Sequence, residues 1–334
     1  MYQTAEEARN CPKGQMRLVE DLQTGLVRNA AFDPALMNYD AAYQNEQGNS
    51  AHFRAHMEDV ASLVSGKMGS ENLVEVGCGK GAFLDIMLER GADVTGFDPA
   101  YEGDSDRIRK VYFSEDLGIR AQGMILRHVL EHIDDPFHFL QRLSDANGNR
   151  GLIYIEVPCF DWICENRAWY DIFYEHVNYF RLSDFRRIFG RVVHADRAFG
   201  GQYLRVIGDL ATLQAPSHSA GSAPGFPSDF TRQLDALDMP ATDASLVVWG
   251  GASKGVIFSL LSERAGCKVT RLIDINPAKQ GLFVPGTGLQ VSSPEEGLTD
   301  LLEGTTIWVM NPNYLDEIRA MSGPSFKYRT LSND

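Results

Sequence analysis

The residues best suited to chemistry begin at Glu75, where Leu73-Val74-Glu75-Val76 runs into Gly77-Cys78-Gly79-Lys80-Gly81 and then, past a helical stretch from Phe83, into Asp93-Val94-Thr95-Gly96-Phe97-Asp98. Glycine is needed where the backbone takes positive φ or lets a ligand approach, and the helix that opens after such a turn offers free N–H groups. An acid about 20 residues beyond the turn, here Asp98, can accept hydrogen bonds from the two hydroxyls of a ribose, and a dinucleotide site uses the same pieces. A second cluster, Arg127-His128-Val129-Leu130-Glu131-His132, follows the apolar run Gly123-Met124-Ile125-Leu126, and Glu175-His176 lies in an aromatic stretch. Histidine titrates near neutrality and can move a proton, although one among aromatic residues also serves as a packed core residue. A third group, Gly250-Gly251-Ala252-Ser253-Lys254-Gly255, repeats the glycine turn with a lysine inside it. Its N–H groups and ammonium suit a phosphate, and plain turn geometry accounts for it equally well. Because Lys254 precedes the last glycine and no Ser or Thr follows, it is not a G-x-x-x-x-G-K-[ST] loop.

The elements that must position these groups can be read from apolar spacing. Residues 1–31 are polar with one alternating piece, Thr24 to Asn29, and little independent structure is expected there. A helix is predicted from Phe53 to Val64, with Phe53, Met57, Val60, Ala61 and Val64 on one face. Strands follow at Leu73–Val76 and Val94–Phe97, then at Lys110–Phe113, Gly123–Leu126 and Leu152–Pro158, with Pro136 opening a helix. Alternating strands and helices predict a parallel doubly wound sheet whose ligands gather at the carboxyl ends of the strands. An aromatic insertion, Asp161 to Phe180, precedes a helix near Ser183–Phe189 with Ser183 as its N-cap, and an antiparallel strand returns over Phe199–Val206. Ser, Pro, Gly and Ala enrichment marks a linker, and a second α/β unit begins with the strand Leu246–Trp249. The expected organisation is an N-terminal segment and flap helix (1–66), a first α/β domain (67–214), a linker (215–240) and a smaller Rossmann-like domain (241–334).

Composition narrows the classes. The chain is 44% hydrophobic and 23% charged, with 31 Lys and Arg against 45 Asp and Glu, a net charge of -14. That balance repels nucleic acid and anionic lipid. No apolar run of about 18 residues or signal-like start is seen, so a cytoplasmic protein without membrane partners is expected. Five scattered cysteines read as reduced thiols. Cys159 and Cys164 lack a second pair, so packed thiols are expected there and no metal site.

Glu75 to Gly81 resembles motif I of class I S-adenosylmethionine (SAM) methyltransferases, and Arg127 to Pro136 resembles a post-strand loop of many of them. Taken with Glu175-His176-Val177-Asn178-Tyr179-Phe180, the Gly250–Gly255 turn, Asp274-Ile275-Asn276-Pro277, Lys279-Gln280-Gly281 and Pro285-Gly286-Thr287, the chain resembles bacterial sugar C-methyltransferases over residues 32–310. The resemblance implies a class I SAM methyltransferase Rossmann-like sheet followed by a second, smaller Rossmann-like α/β domain. It implies SAM as cofactor, S-adenosylhomocysteine (SAH) as product and a nucleotide-linked deoxysugar as acceptor. Glu75, Gly77, Cys78, Gly79, Gly81, Asp98, Pro99, Phe113, Arg127 and His128 would hold the cofactor. His176 would be the general base with Glu175 beside it, His132 the next candidate, and Tyr43 a catalytic hydroxyl on a flap that also carries Tyr39. Tyr174, Tyr179, Lys254 and Asn276 would contact the acceptor. Two departures stand out: the family's N-terminal zinc module with four cysteines is reduced to Cys11, and the family's active-site tyrosine is replaced by Phe173. O- or N-methylation of another sugar or glycoconjugate, a non-catalytic SAM- or nucleotide-binding subunit, and a dehydrogenase are the competing readings.

Overall fold

The computed structural model describes residues 1–37, 48–218, 226–230 and 245–330. Tyr39, Tyr43, Gln44, Asn45 and most of the expected linker lie outside the described residues. In chain order the first half contains α1 (Ala5–Arg9), β1 (Leu18–Glu20), β2 (Val27–Asn29), α2 (Ala51–Met68), β3 (Leu73–Val76), α3 (Ala82–Glu89), β4 (Val94–Phe97), β5 (Ile108–Arg109) and β6 (Gly123–Arg127). It continues with α4 (Pro136–Ala146), β7 (Leu152–Pro158), α5 (Phe160–Glu165), β8 (Asn178–Tyr179), α6 (Leu182–Ile188), β9 (Val192–Ala198) and β10 (Tyr203–Asp209). The second half contains β11 (Ser245–Trp249), α7 (Ser253–Arg264), β12 (Lys268–Ile273), β13 (Val291–Ser292), α8 (Pro294–Leu298), β14 (Thr306–Val309), α9 (Leu315–Ser322) and β15 (Lys327–Thr330).

Strand order in the large sheet is β5-β4-β3-β6-β7-β10-β9, parallel through β7 and closed by the antiparallel β10 and β9. Alternation along the strands divides the core. Val74, Met124, Leu126, Ile153 and Ile155 pack with Leu140 and Leu143 of α4, whereas Leu73, Ile125 and Tyr154 pack with Val60 and Val64 of α2 and Leu84 and Met87 of α3. The sheet is thus a class I methyltransferase-type doubly wound sheet, and the second half is a smaller five-stranded parallel sheet in the order β13-β12-β11-β14-β15. In both sheets strand order reverses beside a glycine turn: between β3 and β6 in the first, between β11 and β14 in the second. Crevices open at such switch points, which is why both turns can serve ligands.

The helix predicted at Phe53–Val64 forms as α2, whose N-cap Ser50 accepts a hydrogen bond from Phe53 N at 3.2 Å. Several expectations shift. The third strand is Ile108–Arg109 rather than Lys110–Phe113, because Ile108 is buried while Val111 and Tyr112 are exposed. The helix after the insertion starts at Leu182, with Arg181 N donating to the Asp184 carboxylate at 2.8 Å, so Ser183 is not the cap. The antiparallel strand runs over Tyr203–Asp209, since Phe199 to Gln202 is the turn that leads into it. The N-terminal segment is also more ordered than its polarity suggested. Thr4 caps α1 in a capping box, β1 and β2 join β8 in a three-stranded sheet, and Tyr2 and Arg9 bond to Phe283 and Thr287 of the second half.

The aromatic insertion joins the halves. Trp169 stacks on Phe258 of α7 at 5.9 Å between ring centroids, and Phe258 packs on Trp308 of β14. Such aromatic contacts add about 0.5–1.5 kcal/mol each beyond the area they bury.

Candidate active site

Gly77 ends β3 with φ +72°, and a Cβ there would lie 2.5 Å from Val129 Cγ2, so this first turn position calls for glycine. Beyond it the backbone folds over Asp98, whose Oδ2 accepts Gly79 N and whose Oδ1 accepts Ala100 N, both at 2.8 Å. Beneath the turn sits Glu75, 3% exposed, with Oε2 lacking a hydrogen-bond partner among the described residues. Burial raises its pKa to about 8, against the opposing pull of Arg127. A buried carboxyl two residues before the turn and a second acid at the next strand end suit a cationic ligand that also carries a ribose. The residues present therefore fit SAM: Glu75 would answer the positive charge and Asp98 the hydroxyls.

Cys78 is buried, its thiol pKa pushed up by burial, and its sulfur packs over Gly96, so its part is structural. Phe113 is buried edge-on to Phe97, and Pro99 is exposed beside Asp98. Arg127 lies 4.6 Å over the Phe83 ring and pairs with Glu156 at 2.8 Å, so its charge is spent inside the protein rather than offered to a cofactor.

Glu156 was not anticipated. Fully buried in β7, its oxygens meet Arg127, His128 Nε2 at 3.0 Å, His56 Nε2 at 3.2 Å and the Tyr154 hydroxyl at 2.6 Å. Burial alone would raise its pKa, but Arg127 and the two histidines outweigh that and hold it well below the ordinary carboxylate value. Burial likewise opposes a charge on His128, and the hydrogen bonds and charges of Glu131 and Glu156 reverse the balance, raising its pKa to about 9. The signal in the sequence was an acid in the middle of an otherwise apolar strand.

A cavity of about 190 Å³ opens between the halves. One wall carries His128, Glu131 and His132 from the loop after β6; another carries Asp171, Phe173 and His176 from the insertion. The third is the second glycine turn, Gly250 to Gly255, with Asp274, Asn276 and Lys279. His176 is buried, its ring 5.0 Å from that of His132 and 4.0 Å from that of Phe173. Burial and the positive groups around it, His132 first, push its pKa well below the usual histidine value, so it stands neutral with a lone pair to offer. Glu175 contributes its backbone carbonyl, which accepts from His132 Nδ1 at 2.9 Å.

Two acceptor candidates point elsewhere. The Tyr174 hydroxyl accepts Asp33 N at 2.7 Å and the ring packs on Phe32, while the buried Tyr179 hydroxyl bonds the backbone of Phe173. Lys254 is engaged across the halves, 2.8 Å from Asp171 and 3.1 Å from Gln202 Oε1. Asn276 lines the cavity, as does Lys279, a buried cation 3.6 Å from Asp274 that sequence reading left unassigned. Tyr43 lies outside the described residues.

Residues 27–192 match the family model described as a methyltransferase domain. The chain is a methyltransferase. It is 24% identical over 283 residues to the C-methyltransferase NovU of Streptomyces niveus, covering 72% of this chain and 67% of that one. Among solved structures, similarity extends to 1,6-didemethyltoxoflavin-N1-methyltransferase of Burkholderia thailandensis with bound SAH, at 18% identity and a TM-score of 0.37 over 48% of this methyltransferase and 79% of that chain. Magnesium protoporphyrin IX methyltransferase of Synechocystis PCC 6803 with bound SAH gives 13% identity and a TM-score of 0.38, over 50% and 90%. No helix among the described residues is long and apolar enough to cross a membrane.

Proposed function

We propose that this SAM-dependent methyltransferase transfers its methyl group to a nucleotide-linked sugar, at a carbon next to a keto group. The observation that carries the reading is the cavity whose walls come from both halves, with His176 on one wall and the second glycine turn forming another. An acceptor reaching from the proton-accepting histidine to that turn needs a reactive small-molecule end and a second, phosphate-bearing end. The N-terminus of α7, with Lys254 and Lys279 close by, suits the anionic end. The likeness to a C-methyltransferase supports transfer to carbon.

The sulfonium makes the methyl group electrophilic, so the protein has to align the acceptor carbon and remove one proton. Alignment supplies several kcal/mol, and a placed base about 10²- to 10⁴-fold. A proton beside a keto group is acidic enough for a neutral histidine to take, and His176 is that histidine in this proposal. His128, held protonated by Glu131 and Glu156, supplies positive charge from another wall of the same cavity, where an enolate would develop. Phe173 faces the cavity at the tyrosine position of the resembled family, so it offers the acceptor a ring face and no hydroxyl. The test is His176→Gln assayed for turnover and for SAM affinity. Turnover should fall by about two to four orders of magnitude with SAM affinity intact; near-full activity moves the base to His132.

A further inference from the structure

We infer that Glu131, His132 and His176 form a binding site for a divalent transition-metal ion, open to the acceptor cavity. Their ligand atoms lie within 4.8 Å of one another. Glu131 is 1% exposed and meets the protonated His128 only at 3.5 Å, a contact too long and poorly aimed for a good hydrogen bond, while Nδ1 of the buried His176 has no hydrogen-bond partner among the described residues. His128 is shared with Glu156, so the Glu131 carboxylate is only partly compensated and a further cation would complete it.

The surroundings orient the trio. His132 Nδ1 donates to the Glu175 carbonyl at 2.9 Å, which places the ring's lone pair on Nε2, as a second-sphere carbonyl does for metal-bound histidines. Val177 N donates to the Glu131 carbonyl at 2.8 Å, and Asn178 Nδ2 to the Ile133 carbonyl at 2.6 Å. The insertion is thereby laced to the loop after β6, and donors distant in sequence meet. His128 Nδ1, 3.5 Å from Glu131 Oε1, faces the carboxylate from behind.

Two imidazoles and one carboxylate with positions left open are a donor set for zinc, iron(II) or cobalt(II) rather than for magnesium or calcium. Bonds of about 2.0–2.2 Å bring tetrahedral ligands to about 3.3 Å apart, so side-chain rotation closes the trio on the ion. The site stands on the walls of the cavity and does not depend on which acceptor enters. Its relation to the proposed chemistry is definite, since a proton and a metal ion compete for the lone pair of His176. A bound ion makes that residue a ligand and offers the acceptor's keto oxygen a Lewis acid. The cysteine count gave no hint of this site, because its donors are Glu and His from two separate segments.

The experiment titrates metal-free protein with Zn²⁺ by calorimetry and with Co²⁺ by visible absorption, using wild type, Glu131→Gln and His176→Gln. SAM affinity is measured in parallel as a check on fold and donor site. The expected result is one ion per chain, a cobalt spectrum without thiolate charge transfer, and affinity about 100-fold weaker or worse in both variants with SAM binding unchanged. Absence of stoichiometric binding, a thiolate signature, or variants that bind like wild type would each overturn the site. Loss of SAM binding in wild type would instead strike the methyltransferase reading and leave the metal result to stand alone.

Discussion

The two glycine turns are built alike and charged differently. In each, the first glycine has positive φ and packs on a residue just beyond the strand across the switch point: Gly77 on Val129, two residues past β6, and Gly250 on Met310, directly after β14. In each, the aspartate ending the next strand accepts a turn N–H through one oxygen and the N–H two residues on through the other, all at 2.8 Å: Asp98 with Gly79 and Ala100, Asp274 with Gly251 and Asn276. The difference lies beneath them. The residue two before the first glycine is the buried acid Glu75 in one half and the buried Val248 in the other; the first turn carries the exposed Lys80, whereas the lysines at the second, Lys254 and Lys279, line the cavity. On the proposed reading, one scaffold makes a cradle for a cationic donor and a cradle for an anionic end of the acceptor, the second of which lines the cavity together with His128, His132 and His176.

Six substitutions, in four tests, break or sharpen this comparison. The largest effect belongs to Gly255→Ala, because a Cβ there would lie 1.8 Å from the Gly250 carbonyl oxygen, where backbone must move. It should destabilise the second half by about 3 kcal/mol or more, whereas Gly77→Ala, which meets a movable valine, should cost about 1–2 kcal/mol; denaturant titration compares them. Next, Asp98→Ala should weaken SAM binding by about 1.5–3 kcal/mol, and Asp274→Ala should leave SAM affinity alone while raising the acceptor's KM. Calorimetry with SAM reads the contrast, and equal losses would mean the turns do not divide the labour.

The acid beneath the first turn gives a pH signature. With its pKa raised to about 8 by burial, Glu75 is protonated at neutral pH in the free protein. A cationic ligand favours the ionised form, so binding releases a proton, and SAM affinity should rise by up to about tenfold per pH unit until about pH 8. Glu75→Gln should flatten the profile. The mildest change concerns the joint between the N-terminal segment and the aromatic insertion: Tyr174→Phe should cost about 1 kcal/mol of stability, with kcat/KM unchanged, because its hydroxyl serves Asp33.

Much of this architecture was legible in the sequence because it rests on local rules. Short apolar runs marked β3, β6 and β7, the apolar stripe marked α2, and the glycines followed by an acid at the next strand end marked both turns. What escaped depends on long-range contact. Tyr174 lies in an irregular segment and Tyr179 in the two-residue β8, both too short of regular structure for any period to say which side chain enters a cavity. Glu156 looked like a blemish in an apolar strand until His56, Arg127 and His128 converged on it. The meeting of Glu131 and His132 with His176 required the backbone bond from Val177 to Glu131. Ile108 and Val111 are both apolar, and only the pairing of β5 with β4 decided which became strand.

The most direct test of one cleft served by two cradles is methyl transfer from isotopically labelled SAM to matched acceptors, a keto sugar with and without its nucleotide diphosphate, followed by mass spectrometry and carbon NMR. The account predicts a carbon-bound labelled methyl group on the nucleotide-linked sugar, one SAH formed per methyl transferred, and little or no product from the free sugar. Equal methylation of both acceptors, or SAM binding with no methyl transfer to any nucleotide-linked keto sugar, would contradict it.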